Sequence, residues 1–144
     1  MPCMLDCEEF PLTKQEVDTL WELVRNEKNL PDDTIAIRCV DTQEVRRLNA
    51  LYRGKDTPTN VLTFSYEEDS EHDIALCMDV AIQEAKDRDM DIRDYCALLV
   101  VHALLHAGGM DHERSEQEAQ HTEELERTIL QQAGFVPKAL SDVY

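Results

Sequence analysis

The sequence predicts a single α+β domain over residues 1–144, a mixed β-sheet of about four strands packed with about four to five helices. Three observations carry this. A chain of 144 residues can bury about two-thirds of its unfolded surface in one core, and no repeat, linker or low-complexity stretch divides it. Helix-start signals precede apolar residues at helical spacing at Thr13, Asp41, Asp91 and Ser115. Two strand-like runs follow each other across a short acidic loop, so a hairpin joins them, and the sheet is mixed with helices packed on it.

Thr13-Lys14-Gln15-Glu16 reads as a capping box, and Val17, Leu20, Trp21 and Val24 form the apolar stripe of a first helix ending near Leu30-Pro31. Thr34–Val40 alternates Ile35, Ile37 and Cys39 with Ala36, Arg38 and Val40, which is a strand. Asp41 caps a second helix that turns Val45, Leu48 and Tyr52 inward, with Arg46 and Arg47 on its other faces. Residues 52–60 are a polar loop rich in turn formers. Residues 60–66 read as a strand, 67–73 as a solvated acidic hairpin loop and 74–82 as a further strand, with a short helical stretch possible at 83–89. Asp91 caps the long helix carrying Ile92, Tyr95, Leu98 and Leu99. Apolar nearly all round, that helix should be the central, buried one. Ser115-Glu116-Gln117-Glu118 is another capping box and opens a last helix that ends at Gly134.

Charge narrows the function. Against 14 basic residues stand 31 acidic ones, a net charge of −17. Such a surface repels polyanions and excludes a nonspecific nucleic-acid binder, so an RNA function needs a local basic patch, a metal, or a partner that brings the substrate. The longest apolar run, 97–105, is broken by His102 and is far too short to span a bilayer. The N-terminus has no basic flank and no apolar signal core. Cysteines 3, 7, 39, 77 and 96 are odd in number and form no CxxC pair, which favours reduced thiols in a cytoplasmic protein. Cys3 and Cys7 could share a metal, but two idle thiols on a frayed terminus are the simpler account.

The chemistry concentrates in His102-Ala103-Leu104-Leu105-His106-Ala107-Gly108-Gly109-Met110-Asp111-His112. On a helix, His102 and His106 lie one turn apart on one face, roughly 5–6 Å between Cβ atoms. Gly108 and Gly109 stop the helix, and the chain can turn back to deliver His112. A lone histidine on an apolar face is usually a hydrogen-bonded core residue. Three at spacings of four and six, with a glycine just ahead of the last, read as metal ligands. Three protein ligands leave a fourth zinc position open, as in a catalytic site. The spacing is that of metzincin proteases, but Ala103 stands where HExxH needs its glutamate base. Arg46, Arg47, Arg53 and Lys55 form the one dense basic cluster. Arg53, in a turn-rich loop leading into a strand, is the residue placed to clamp a phosphate through two hydrogen bonds. Arg46, Arg47 and Lys55 are weaker substrate-binding candidates, and solvation of a helix with pairing to nearby acids explains Arg46 and Arg47 equally well.

These residues resemble a family. His102…His106…Gly109-x-Asp111-His112, and Tyr52-Arg53-x-x-Asp56-x-Pro58-Thr59-Asn60-Val61-Leu62-x-Phe64, look like the two signature blocks of the YbeY family of bacterial endoribonucleases. Ala103, Ala107 and Met110 replace the usual Gly, Leu and Tyr, and Ser65 stands where a proline normally follows the phenylalanine. A third block, L-G-D-I-x-I, is matched by Asp79-Val80-Ala81-Ile82, with Met78 for glycine. The resemblance implies one Zn2+ on His102, His106 and His112, and a metal-dependent endoribonuclease specific for single-stranded RNA. It implies a role in 16S rRNA 3′-end maturation and ribosome quality control. The family's functional arginine carries over to Arg53, which would hold the phosphate under attack by zinc-bound water or hydroxide. Asp111 would orient a ligand histidine, with Gly109 supporting the turn. No general base is assigned. The acidity adds the expectation of a ribosomal or other protein partner. The rivals are a peptidase of zincin-like spacing and a non-enzymatic ribosome-assembly factor with structural zinc.

Overall fold

The structure is a computed structural model that describes residues 3–66, 71–109 and 115–139. Its order is β1 (Met4–Asp6), α1 (Lys14–Lys28), β2 (Thr34–Val40), α2 (Thr42–Arg53), β3 (Val61–Tyr66), β4 (Glu71–Cys77), α3 (Met78–Asp87), α4 (Ile92–Ala107) and α5 (Glu116–Gln132). The four-stranded sheet runs β1-β2-β4-β3. β1, β2 and β4 are parallel neighbours, and β3 lies antiparallel to β4 at the edge. The α+β mixed sheet expected from the sequence is therefore present.

Strand alternation divides the core in two. Ile35, Ile37, Ile74 and Leu76 face one way and are buried with α1, α4 and α5. Leu62, Ala75 and Cys77 belong to the other face, where Val45 of α2 and the partly buried Leu48 and Phe64 cover them. Within the larger layer α4 packs against α1, α3, α5 and β3. Ten of its sixteen residues are buried, so the expectation that this helix is central holds.

The caps explain where the helices start. Thr13 Oγ1 accepts from the Glu16 amide at 3.1 Å while Glu16 Oε1 accepts from the Thr13 amide at 2.9 Å. Asp41 accepts from the Glu44 amide, Asp91 from the Arg93 amide and Ser115 from the Glu118 amide. At the C-terminal end of α4 the two glycines do different jobs. Gly109 takes φ +92, whereas Gly108 stays right-handed at φ −79. A Cβ on Gly108 would stand 2.7 Å from Leu30 Cδ1, so a larger residue there would have to displace the end of that side chain, whereas the backbone itself makes no demand for glycine.

Several sequence expectations are corrected. The strand read at 74–82 is β4, ending at Cys77, and Asp79, Val80, Ala81 and Ile82 lie in α3. The β-branched residues of 80–82 continue the strand pattern by eye. Ala81 and Ala85, buried one helical turn apart, reveal the period that wins. Glu71 and Asp73 are strand residues and not loop. Tyr52 is turned outward at 61% exposed, its ring packed 4.7 Å from that of Phe64. Asn49 takes the buried position in its stead, donating to the Thr57 carbonyl. The N-terminal segment is not frayed among the described residues: β1 pairs with β2, and Cys3 is buried. Cys7 and Cys39 form a disulfide, so the expected set of reduced thiols is replaced by one bridge and three buried free cysteines, Cys3, Cys77 and Cys96.

One polar chain props the histidine-bearing end of α4. Ser65 Oγ lies 2.8 Å from His72 Nδ1, directly across the β3–β4 pair, and His72 Nε2 lies 2.9 Å from Asp33 Oδ2. Trp21 Nε1 donates to the Asp33 carbonyl at 3.1 Å. Asp33 is three residues beyond Leu30, the side chain against Gly108, so the loop that walls the end of α4 is pinned to the sheet.

Candidate metal centre

The central layer of buried helices sets up the site. His102 and His106 share a face of α4 because they are four residues apart, and their ring centroids are 4.7 Å apart at an interplanar angle of 58°. Both are partly buried, flanked by the buried Ala103, Leu104 and Leu105. His102 has a partner that the motif does not contain. Its Nδ1 lies 2.5 Å from Oε2 of Glu126, a carboxylate on α5 whose side chain is 1% exposed. With the carboxylate accepting, the proton belongs on Nδ1, which makes Nε2 the ring nitrogen with donor character toward a metal, the usual arrangement of a ligand histidine.

The donor set fits zinc as far as it is described. Two imidazoles one turn apart, one already oriented by a carboxylate, are the nitrogen ligands that zinc takes at about 2.0–2.1 Å. Among the described residues no group of three or more histidine, cysteine, aspartate or glutamate side chains converges. His112 and Asp111, named from the sequence as third ligand and orienting acid, lie outside the described residues. Gly109 is placed at the turn that leads toward them.

The basic residues come from a different layer. α2 packs on the opposite face of the sheet from α4, and Arg53 is its exposed last residue, followed by Gly54 at φ +69. Lys55 is exposed beside it. Arg46 and Arg47 are already paired with acids. Arg46 holds Asp56 through Nε at 2.9 Å and Nη2 at 3.2 Å, and Arg47 holds Glu44 at 2.5 Å. Hydrogen bonds from the Arg46 guanidinium, followed by its charge, keep the Asp56 carboxyl below its ordinary range. Glu44 is likewise lowered, first by its hydrogen bond from Arg47. Gln43, Arg46, Arg47, Ala50, Leu51 and Asp56 line an open groove on this helix. A phosphate entering it would compete with two carboxylates.

Comparison with known proteins decides the family. The family model for endoribonuclease YbeY matches residues 7–134. The chain belongs to the endoribonuclease YbeY family. It is 44% identical over 106 residues to the endoribonuclease YbeY of Acidovorax sp. (strain JS42), covering 72% of this chain and 70% of that one. It is 48% identical over 106 residues to the endoribonuclease YbeY of Janthinobacterium sp. (strain Marseille), covering 70% and 69%. The solution structure of TM1509 from Thermotoga maritima shares the fold, with a TM-score of 0.61 and 24% identity over 92% of this chain and 91% of that one. Membership of the YbeY family makes this chain an enzyme of the endoribonuclease class. Among the described residues no helix is long and apolar enough to cross a membrane.

Glu126 is the residue the sequence motifs missed. A signal was available: Thr122, Leu125, Glu126, Ile129 and Leu130 form the buried stripe of α5. An acid on such a stripe requires a partner in the core.

Proposed function

We propose that this YbeY-family chain is a metal-dependent endoribonuclease that cuts single-stranded RNA, with 16S rRNA precursor as its physiological substrate and a ribosomal partner presenting it. The observation that carries the metal reading is the His102–His106 pair with a buried carboxylate on His102. His102, His106 and His112 would hold one zinc ion. Such an ion supplies a Lewis acid that polarises a phosphoryl oxygen and makes water a better nucleophile near neutral pH. The chain's own residues do the rest. Arg53 grips the scissile phosphate through its planar fork and offsets the charge that builds on it. Glu126 keeps His102 oriented, and Asp111 would do the same for another ligand. The −17 charge disfavours free RNA, which is why a presenting partner belongs in this reading.

Ala103, at 1% exposed, fills the position where a zincin peptidase carries its base, which supports RNA over peptide as substrate. The test is cleavage of labelled single-stranded RNA, duplex RNA and casein by the purified chain before chelation, after chelation and after zinc return. Cutting of the single strand that disappears with chelation and returns with zinc is expected. Cleavage of casein without RNA, or RNA cleavage indifferent to chelation, would overturn the proposal.

A further inference from the structure

We infer that Glu126 is a positioning residue. From the last helix it fixes the protonation site of His102, and so the competence of the α4 histidines to take a metal. The inference rests on the metal-dependent reading above and adds a residue outside every motif that led to it.

Four observations support it. The Glu126 side chain is 1% exposed, yet it stands on a helix stripe whose other members, Thr122, Leu125, Ile129 and Leu130, are all buried. A carboxylate is kept in such a place only with a strong partner. The partner is His102 Nδ1, at 2.5 Å. An imidazole has two nitrogens, and committing the Nδ1 proton to a carboxylate makes Nε2 the nitrogen that can donate a lone pair to a metal. The neighbour on that helix face is His106, with 4.7 Å between ring centroids, so the commitment matters where a second nitrogen ligand is already in reach. The carboxylate also carries a negative charge to the back of the ring, which raises the donor strength of Nε2 toward a cation. Finally, α5 and α4 are packed neighbours, and Glu126 lies 24 residues beyond His102. The docking of one helix therefore conditions the chemistry of the other.

Two variants separate positioning from packing. Glu126→Gln keeps the shape and an amide oxygen that can accept the same hydrogen bond, without the charge. Glu126→Leu fills the space and removes the acceptor. Thr122→Val, on the same stripe, is the packing control. The first measurement is the side-chain nitrogen NMR spectrum of His102 in the metal-free chain, assigned by loss in His102→Ala. The second is zinc affinity by competition with a chromophoric chelator. The wild-type spectrum should show the proton on Nδ1, Glu126→Gln should retain it with zinc affinity reduced less than tenfold, and Thr122→Val should match wild type in both. Glu126→Leu should lose the preference and bind zinc about 10–100-fold more weakly. Should Glu126→Leu be too unstable to study, the wild-type and Glu126→Gln spectra decide the tautomer alone. A wild-type proton on Nε2, or undiminished zinc binding by a folded Glu126→Leu, would overturn the inference. Absence of zinc binding by the wild-type chain, with the tautomer still dependent on Glu126, would overturn the metal reading and the metal half of this inference together.

Discussion

At the scale of single residues, Arg53 and Glu126 would act on the same reaction through different routes, and zinc concentration distinguishes them. On the proposed reading Arg53 would meet the phosphate, so Arg53→Ala is expected to lower kcat about 10²–10³-fold, the loss typical of one donor removed from a developing charge, at unchanged zinc affinity. Excess zinc should not restore it. Glu126→Leu acts on occupancy, so its loss of RNA cleavage should shrink as zinc is raised; titrating zinc into both variants under single-turnover conditions reads the contrast. The histidine spacing was readable from the sequence because four residues is a helical repeat, and α4 is a helix. Glu126 was not, because nothing in a linear motif says which buried stripe will face which ring. Arg53 was singled out only by the company it keeps in a basic stretch read as a loop, whereas it is the last residue of α2. The structure adds that Arg46 and Arg47, from the same cluster, are held by Asp56 and Glu44.

Among the elements, the helix starts were the most transparent because each cap is a local bargain between one side chain and one amide. At the N-terminus of α1 this local device becomes tertiary. Glu16 closes the capping box and also receives the Arg93 guanidinium from the first turn of α4, with Nη1 2.9 Å from Oε1. The hydrogen bond from Arg93, then that from the Thr13 amide, lowers the Glu16 carboxyl from its ordinary 4.5 to about 2. A depressed carboxyl stabilises the fold above its unfolded value, and that contribution is lost as pH falls from about 4.5 toward 2. Glu16→Gln should accordingly cost about 1 kcal/mol near pH 7, the typical worth of a cap with a partly exposed ion pair. Urea unfolding of both chains across pH 2–7 should show their difference closing over that acid window. A gap that stays constant down to pH 2 would mean that the carboxylate charge is not what matters. Elements lacking such local signals were misread. The passage from β4 to α3 carries no side-chain cap at Cys77, and β1 is three residues long, too short for a period to declare itself.

For the whole molecule, the sheet is closed on one side by chemistry that only the fold could reveal. Cys7 and Cys39 are 32 residues apart, yet β1 pairs with β2 in parallel and brings their Cα atoms to 5.0 Å. Counting cysteines could not choose that pair, since the choice depends on a strand the sequence did not announce. Closing a loop of that length should stabilise the chain by about 3–4 kcal/mol on the loop-entropy account. Dithiothreitol should therefore move the urea midpoint of the wild-type chain downward, while leaving that of a Cys7→Ser chain in place. The placement of Glu126 has a consequence for how the protein is made. During synthesis His102 and His106 leave the ribosome well before the residue that orients one of them, and α4 must bury most of its surface against partners that include α5. A chain interrupted between α4 and α5 would carry both histidines of the pair and lack the carboxylate that prepares them. On this order of events the His102–His106 pair would become a good metal site only after α5 has been made and docked, so a chain stalled before α5 would be a poorer metal binder than the folded one.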